Sequence, residues 1–270
     1  MFADVRSPMD INLLALDVGN SRLKVGVFEA GELTYTRRIG VEQRADWQGT
    51  IEEAWRRISA AKDAQIAGIS SNPALTAVTA AAARAAAGLE ALWIGVGRDI
   101  DVPIAVKTDA PERTGVDRIL NVAAAHEQLG KACCVVDAGS AVTVDFCDDA
   151  GAFLGGVIAP GAFAQLRALR ELAPHLPETK LEAISEAFGT DTAGSINAGV
   201  YHGIRGLVRE VVEQHALTRE TWPEVIATGG DAQTLFGDDP AGGLIHAVSP
   251  DLTFYGIAHA YAEHQIRHGT

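Results

Sequence analysis

Residues 11–28 read INLLALDVGNSRLKVGVF, and this stretch is the strongest indication of the fold. An apolar run ends in Asp17, the turn-prone residues Val-Gly-Asn-Ser follow, and a second apolar run extends from Leu23 to Phe28. A third run with polar alternation follows the turn at Gly31. Short apolar runs separated by turn residues are typical of β-strands, so the stretch predicts three strands joined by tight turns.

The same order of features returns 120 residues later. The run ACCVVD at residues 132–137 is apolar, Ala-Gly-Ser follows, and two further strand-like runs end at residues 146 and 158. The offset pairs identical residues: Asp17 with Asp137, Gly19 with Gly139, and Gly31 with Gly151. Because a duplicated unit determines the architecture, we predict an α/β protein of two similar βββαβα halves, residues 1–130 and 131–270, that face each other across a cleft.

Helical periodicity and capping signals occupy the intervals between these strands. Asn72 before Pro73 has the residue types of a helix N-cap and first turn, and Gly88 those of a helix end. The other predicted elements are helices over residues 47–61, 116–129, 191–215 and 250–268, helices after residue 161, and strands over residues 65–70, 91–94, 104–106 and 224–227.

The composition is that of a globular protein with an acidic balance. Hydrophobic residues make up 47% of the chain, and 35 acidic against 22 basic residues give a formal net charge of −13. This charge disfavours general binding to nucleic acid or to an anionic membrane surface. Three cysteines and the lack of an apolar signal core or a membrane-spanning run indicate a soluble cytoplasmic protein. The acidic net charge is still compatible with small anionic substrates, because a few local amides and cations can bind phosphate.

The two Asp-Gly turns have the residue types of a phosphate site. Each places a carboxylate at the end of a buried strand, and the following glycine lets the backbone approach an anion closely. Asn20, Ser21 and Ser140 can donate hydrogen bonds to phosphate oxygens. Asp17 and Asp137 would repel phosphate directly, so they imply a cation in between, Mg²⁺ or a monovalent ion. Two solvated hairpin tips are the alternative, but their equivalent positions in a repeat favour a site.

Other phosphate and catalytic motifs are incomplete. Gly130-Lys131 lacks the earlier glycine of a Walker loop, Gly95-Val-Gly97 lacks the third glycine of a dinucleotide fingerprint, and no Gly-x-Ser-x-Gly elbow occurs. His264 and His268 have helical spacing without an evident third metal ligand.

Five segments in one order resemble a known family. Asp17-Val-Gly-Asn-Ser-Arg-Leu-Lys24 resembles the first phosphate motif of the acetate and sugar kinase, Hsc70 and actin superfamily, and is more closely similar to that of the type III pantothenate kinases. The matching segments downstream are Gly115-Val-Asp-Arg118, Asp137-Ala-Gly-Ser-Ala-Val-Thr-Val-Asp145, Gly155-Gly-Val-Ile-Ala-Pro-Gly161 and Thr228-Gly-Gly-Asp231.

The resemblance implies a duplicated ribonuclease H-like, actin-like ATPase core that phosphorylates pantothenate to 4'-phosphopantothenate with ATP, the first step of coenzyme A biosynthesis. It implies that Asp117 is the general base and that Asp137 holds a K⁺ or NH₄⁺ ion. It also implies a homodimer with the substrate site near the interface. The implied ATP-binding residues are Asp17, Val18, Gly19, Asn20, Ser21, Arg22, Leu23, Lys24 and Ser140, and the implied pantothenate-binding residues are Gly115, Val116, Asp117, Arg118 and Thr192.

Two other functions are compatible with this resemblance. One is a kinase of the same fold that acts on a sugar or another small alcohol, and the other is a non-catalytic regulatory relative. The intact Asp17, Asp117 and Asp137 favour an enzyme. Ser21 and Ser140 stand where the family usually has threonine, and residues 108–114 lack the tyrosine that often lines the pantothenate pocket.

Overall fold

The computed structural model describes residues 10–237 and 243–268, which form two compact units. The first unit contains the described residues up to Gln128 and those from Leu252 onward, and the second unit contains Leu129–Asp251. The division predicted near residue 130 lies close to the boundary between Gln128 and Leu129. The prediction differs from the structure in its last segment, because residues 252–268 belong to the first unit and not to the second half.

The first unit is built on a five-stranded mixed sheet with the order β3-β2-β1-β4-β5. Strands β1 and β2, and β2 and β3, are antiparallel, whereas β4 is parallel to β1 and β5 to β4. The bounds of its elements are β1 Leu13–Val18, β2 Arg22–Glu29, β3 Glu32–Gly40, α1 Trp47–Trp55, β4 Gln65–Ser70, α2 Pro73–Ala87, β5 Leu92–Trp93 and α3 Val116–Leu129.

The second unit repeats this arrangement. Its sheet has the order β8-β7-β6-β9-β10, with β6-β7 and β7-β8 antiparallel and β6-β9 and β9-β10 parallel. The bounds are β6 Cys133–Ala138, β7 Ala141–Cys147, β8 Phe153–Pro160, α4 Ala162–Leu172, α5 Thr192–Arg219, β9 Glu224–Thr228, α6 Ala232–Phe236 and β10 Ala247–Val248. Strands β1 and β6 are 120 residues apart, and Gly31 and Gly151 have φ angles of 81° and 77° in the equivalent second turns. The predicted duplication is confirmed, whereas the predicted cleft stays a prediction.

The last helix, α7 (Leu252–His268), packs against the first unit. A Cβ atom on Gly256 would lie 2.4 Å from the carbonyl oxygen of Leu120, so α7 and α3 approach each other as closely as their backbones allow. The Thr253 hydroxyl also donates to Asn121 Oδ1 at 2.8 Å, and both residues are buried. This contact spans more than a hundred residues, so the periodicity of α7 alone gave no indication of it.

The remaining differences from the predicted elements are small. Helix α1 ends at Trp55, six residues before the predicted end. The three residues 104–106 form no strand element, and the two-residue strand β10 was not predicted. No helix in the described ranges combines the length and the hydropathy that crossing a membrane requires.

Candidate functional site

The first candidate loop is the turn between β1 and β2. The Gly19 amide donates to the Arg22 carbonyl oxygen at 3.0 Å and closes the turn. Asp17 and Lys24 are opposite each other on the two strands, and Lys24 Nζ lies 2.7 Å from Asp17 Oδ2. Because Asp17 is only 6% exposed, this ammonium group offsets a carboxylate that has little contact with water. Lys24, one of the implied ATP-binding residues, is thus an ion-pair partner of Asp17.

The tip of this loop is polar, whereas two of the predicted residues belong to the core. The side chains of Asn20, Ser21 and Arg22 are exposed. Val18 and Leu23 are fully buried, so no atom of either residue is exposed to a ligand. The loop therefore offers a nucleotide its backbone and the three polar side chains at its tip.

Asp117 and Arg118 lie in the first turn of α3, where a helix N-terminus favours an anionic side chain. The Arg118 backbone amide donates to Asp117 Oδ1 at 2.9 Å, and the Gly115 carbonyl oxygen accepts from the Ile119 amide at 3.3 Å. A Cβ atom on Gly115 would lie 2.8 Å from Asp117 Oδ1, so an alanine there would displace the carboxylate. Residues 115–118 are all half-buried, so this carboxylate is still accessible.

Asp137 occupies the equivalent place in the second unit, near the end of β6. The following turn is closed by the Gly139 amide, which donates to the Ala141 carbonyl oxygen at 2.9 Å, and Ser140 is exposed at its tip. Thr143 on β7 and Thr228 on β9 are the strand neighbours of Asp137. Directly paired residues on adjacent strands point to the same face of a sheet, so three oxygen-bearing side chains lie side by side.

Asp145 is a buried carboxylate to which the sequence analysis gave no role. It is 2% exposed, and Thr143 Oγ1 donates to its Oδ2 at 2.8 Å. Since a hydroxyl group has one proton, Thr143 then offers only oxygen lone pairs to another partner. The Asp137 carboxylate and the Thr143 hydroxyl are oxygen ligands of the kind that hard cations prefer, so the residues present fit a cation. The sequence pattern Thr143-Val-Asp145 could have indicated this hydrogen bond, because residues two apart in a strand lie on the same face of the sheet.

No three His, Cys, Asp or Glu side chains in the described part of the chain come together as a metal-binding group.

The loop after β9 packs closely against Asp137. The Asp231 amide donates to the Ala138 carbonyl oxygen at 2.9 Å. A Cβ atom on Gly229, which has a φ of 98°, would lie 2.4 Å from both that carbonyl oxygen and Asp137 Oδ1. Only glycine satisfies both the backbone angle and the space at this position. Gly229 therefore helps to fix the position of the Asp137 carboxylate.

Thr192 is the exposed first residue of α5. The preceding Asp191 caps the helix, because its Oδ1 accepts from the Gly194 amide at 2.7 Å. The predicted contact of Thr192 with pantothenate stays a prediction.

The second unit also contains a cavity of about 490 Å³ that the sequence analysis did not identify. Its walls combine apolar side chains of α4 with the cationic groups of Arg167 and Arg170, and Asp231 lies at its edge. Each arginine already has an anionic partner, Glu171 and Glu178 respectively, at 2.6 Å. The cavity has no sequence motif because its walls come from segments up to 69 residues apart, between Ala162 and Asp231.

Two duplicated sheets, each with an Asp-Gly turn after its first strand, define a class of protein: the ATPase fold of actin, Hsc70 and the sugar kinases. Among solved structures with this likeness, MreB 5 of Spiroplasma citri bound to AMPPNP has a TM-score of 0.54 at 9% identity, over 97% of this chain and all of that chain. A Campylobacter jejuni protein assigned to the Baf family of transcriptional activators has a TM-score of 0.59 at 23% identity, over 94% of this chain and 99% of that chain. At these identities the likeness establishes the fold alone.

Sequence comparison identifies the family within this class. A family model for type III pantothenate kinase matches residues 13–214. A type III pantothenate kinase of Geobacter sulfurreducens is 33% identical over 254 residues, which cover 92% of this chain and 98% of the relative. Another, from Dehalococcoides mccartyi, is 30% identical over 261 residues, 94% of this chain and 97% of the relative. The chain belongs to the type III pantothenate kinase family, as the sequence motifs indicated.

Proposed function

We propose that this chain transfers the γ-phosphoryl group of ATP to the primary hydroxyl of pantothenate, the first step of coenzyme A biosynthesis. The observation that carries the proposal is the pair of equivalent Asp-Gly turns, at Asp17 and Asp137, in a chain of this family. Phosphoryl transfer needs positioning and charge neutralisation more than covalent chemistry. The backbone of two such turns can position the phosphate groups, and the cations that their carboxylates imply would neutralise charge.

Asp117 is the proposed general base. Asp117 is half-buried, and the Arg118 amide holds its Oδ1, so the carboxylate has a fixed direction at the start of α3. A carboxylate within hydrogen-bonding reach of the acceptor hydroxyl orients it and takes its proton during transfer. The positive charge of Arg118 suits the carboxylate of pantothenate, and Gly115 and Val116 complete the substrate segment.

ATP is assigned to the turn of residues 17–24 and to Ser140, with Mg²⁺ bound mainly by the phosphate oxygens. Asp137 is the proposed ligand of K⁺ or NH₄⁺, and the hydroxyl of Thr143 is an oxygen ligand beside it. The cation supplies positive charge next to the phosphate groups when it is bound. Two contacts hold the oxygen ligands of this cation in place. Asp145 accepts a hydrogen bond from the Thr143 hydroxyl, and Gly229 packs closely against the Asp137 carboxylate.

The direct test is ADP release by the purified full chain with Mg²⁺-ATP and KCl. We expect turnover that depends on pantothenate and is absent with a panel of sugars. Turnover with a sugar but not with pantothenate would favour the kinase with another acceptor. No turnover with any alcohol, together with retained ATP binding, would favour the regulatory relative.

We also propose that the chain forms a homodimer through α4 in the second unit. Phe163 and Leu172 of this helix are 73% and 87% exposed, and Leu169 is 38% exposed. Ile158, at 62%, lies on β8, four residues before α4 begins. Four large exposed apolar side chains within fifteen residues, on α4 and the strand before it, are typical of a protein–protein contact, and a second copy of the chain offers the same residues in return.

Replacing Leu172 with glutamate is expected to give monomers, because a charge would be buried in the proposed apolar contact. Light scattering after size-exclusion chromatography measures the mass. Ile266→Glu is the matched control, because Ile266 is an apolar residue of α7 with 60% exposure. A dimer that persists in both Leu172→Glu and Phe163→Glu would show that α4 is not the interface.

The cytoplasm is the proposed compartment. Cys133, Cys134 and Cys147 are free and buried thiols. Burial raises the pKa of the Cys134 thiol well above its usual range, which keeps it protonated and unreactive.

A further inference from the structure

Asn72 connects the start of α2 to the tip of the first candidate loop. Its Oδ1 accepts hydrogen bonds from the backbone amides of Ala74 and Leu75, at 3.1 and 3.3 Å. Its Nδ2 donates to Asn20 Oδ1 at 3.1 Å. Because backbone amides require an acceptor, the oxygen of the Asn72 side chain must face α2 and its nitrogen must face Asn20.

This orientation determines that of Asn20. Asn72 donates from its side-chain nitrogen, so the Asn20 side chain must accept with its carbonyl oxygen, which therefore faces Asn72. The NH₂ group of Asn20 is then the end left for another partner. The opposite orientation of Asn20 would set two NH₂ groups against each other. An NH₂ group donates to a phosphate oxygen, whereas a carbonyl oxygen repels it.

The position of Asn72 is itself fixed by its backbone contacts. The hydroxyl of Ser70, the last residue of β4, accepts from the Asn72 amide and donates to the Asn72 carbonyl oxygen, both at 3.1 Å. The neighbouring Ser71 amide donates to the carbonyl oxygen of Val18, the last residue of β1, at 3.2 Å. The loop after β4 is thus attached directly to the strand that precedes Asn20.

We propose that Asn72 is a positioning residue for ATP, which orients the Asn20 amide so that its NH₂ group donates to the phosphate chain. Asn72 acts through Asn20 and does not contact the nucleotide. This inference rests on the proposed function, because it takes the loop of residues 17–24 as the site of the ATP phosphates.

Asn72→Ser and Asn72→Asp separate orientation from helix capping. Serine and aspartate are as good N-caps as asparagine, so α2 keeps its cap, but neither has an NH₂ group to donate to Asn20. We expect the KM for ATP to rise about tenfold in both variants, while Tm and the kcat at saturating ATP stay near those of the unmodified chain. Calorimetry with a non-hydrolysable ATP analogue should give a matching loss of affinity. An unchanged KM for ATP in both variants would overturn the inference.

A double-mutant cycle tests whether Asn72 acts through Asn20. If it does, the double variant Asn20→Ala/Asn72→Ser has the ATP KM of Asn20→Ala alone. Additive effects, or an Asn20→Ala variant with unchanged KM, would overturn the inference and leave the proposed function standing. Asn12→Ser is the control, because the Asn12 amide donates to Asp63 Oδ1 at 3.0 Å and its Oδ1 accepts from the Ala30 amide, away from Asn20. Absence of pantothenate-dependent turnover in the unmodified chain would overturn the proposed function, and this inference with it.

Discussion

The Asp117→Asn variant is expected to lose pantothenate-dependent turnover by about a thousandfold while it still binds ATP. An asparagine amide has nearly the shape of the carboxylate and its oxygen still accepts from the Arg118 backbone amide, so the first turn of α3 should persist. It cannot take the proton of the acceptor hydroxyl, however. Steady-state ADP release measures the loss, and calorimetry with an ATP analogue measures binding.

Asp109→Asn is the matched control for Asp117→Asn. Asp109 is an exposed carboxylate eight residues upstream, so its replacement changes the net charge equally. Turnover of Asp117→Asn within a few-fold of this control would refute the assignment of the general base.

Gly229→Ala is expected to have the second large effect, on both stability and activity. The added Cβ would lie 2.4 Å from the Ala138 carbonyl oxygen and from Asp137 Oδ1, at a φ of 98° that alanine rarely adopts. We expect the free energy of unfolding to fall by about 3 kcal/mol. Because the Asp137 carboxylate must also move, turnover should fall by about a hundredfold. Urea unfolding and ADP release at saturating KCl measure the two effects.

The adjacent Gly230 provides a control for the effect on stability. A Cβ atom there would have no neighbour within 4 Å, so Gly230→Ala should change the free energy of unfolding by less than about 1 kcal/mol. An equal free energy of unfolding in the two variants would show that the close contact of Gly229 with β6 does not limit which residue the position tolerates.

The strands and the repeat were predictable because each half is built from local signals. Hydrophobic runs of strand length, the Asp-Gly turns and the glycines of the second hairpin turns all occur at the same offset, and both sheets have the corresponding strand order. The N-cap at Asn72 was equally local, since it depends on residues within three positions of it. Such features depend on neighbouring residues, which a sequence displays directly.

The parts that could not be predicted depend on contacts between distant segments. The Lys24–Asp17 ion pair needs the register of β1 and β2, and the contact of Asn72 with Asn20 joins residues 52 positions apart. The unit to which α7 belongs depends on the fit of Gly256 against Leu120. Strand β10 is two residues long and pairs with β9, and two residues are too few to show the alternation by which a strand is predicted.

The attachment of α7 to the first unit has a consequence for the order of folding during synthesis. The second unit is one continuous segment, Leu129–Asp251, and its residues have all left the ribosome before α7 does. The first unit begins to emerge earlier, but one of its hydrophobic clusters includes Phe254 and Ile257 and cannot be completed until α7 has been synthesised. The unit that is synthesised first is therefore completed last, and the face of its sheet that α7 covers stays exposed throughout that interval.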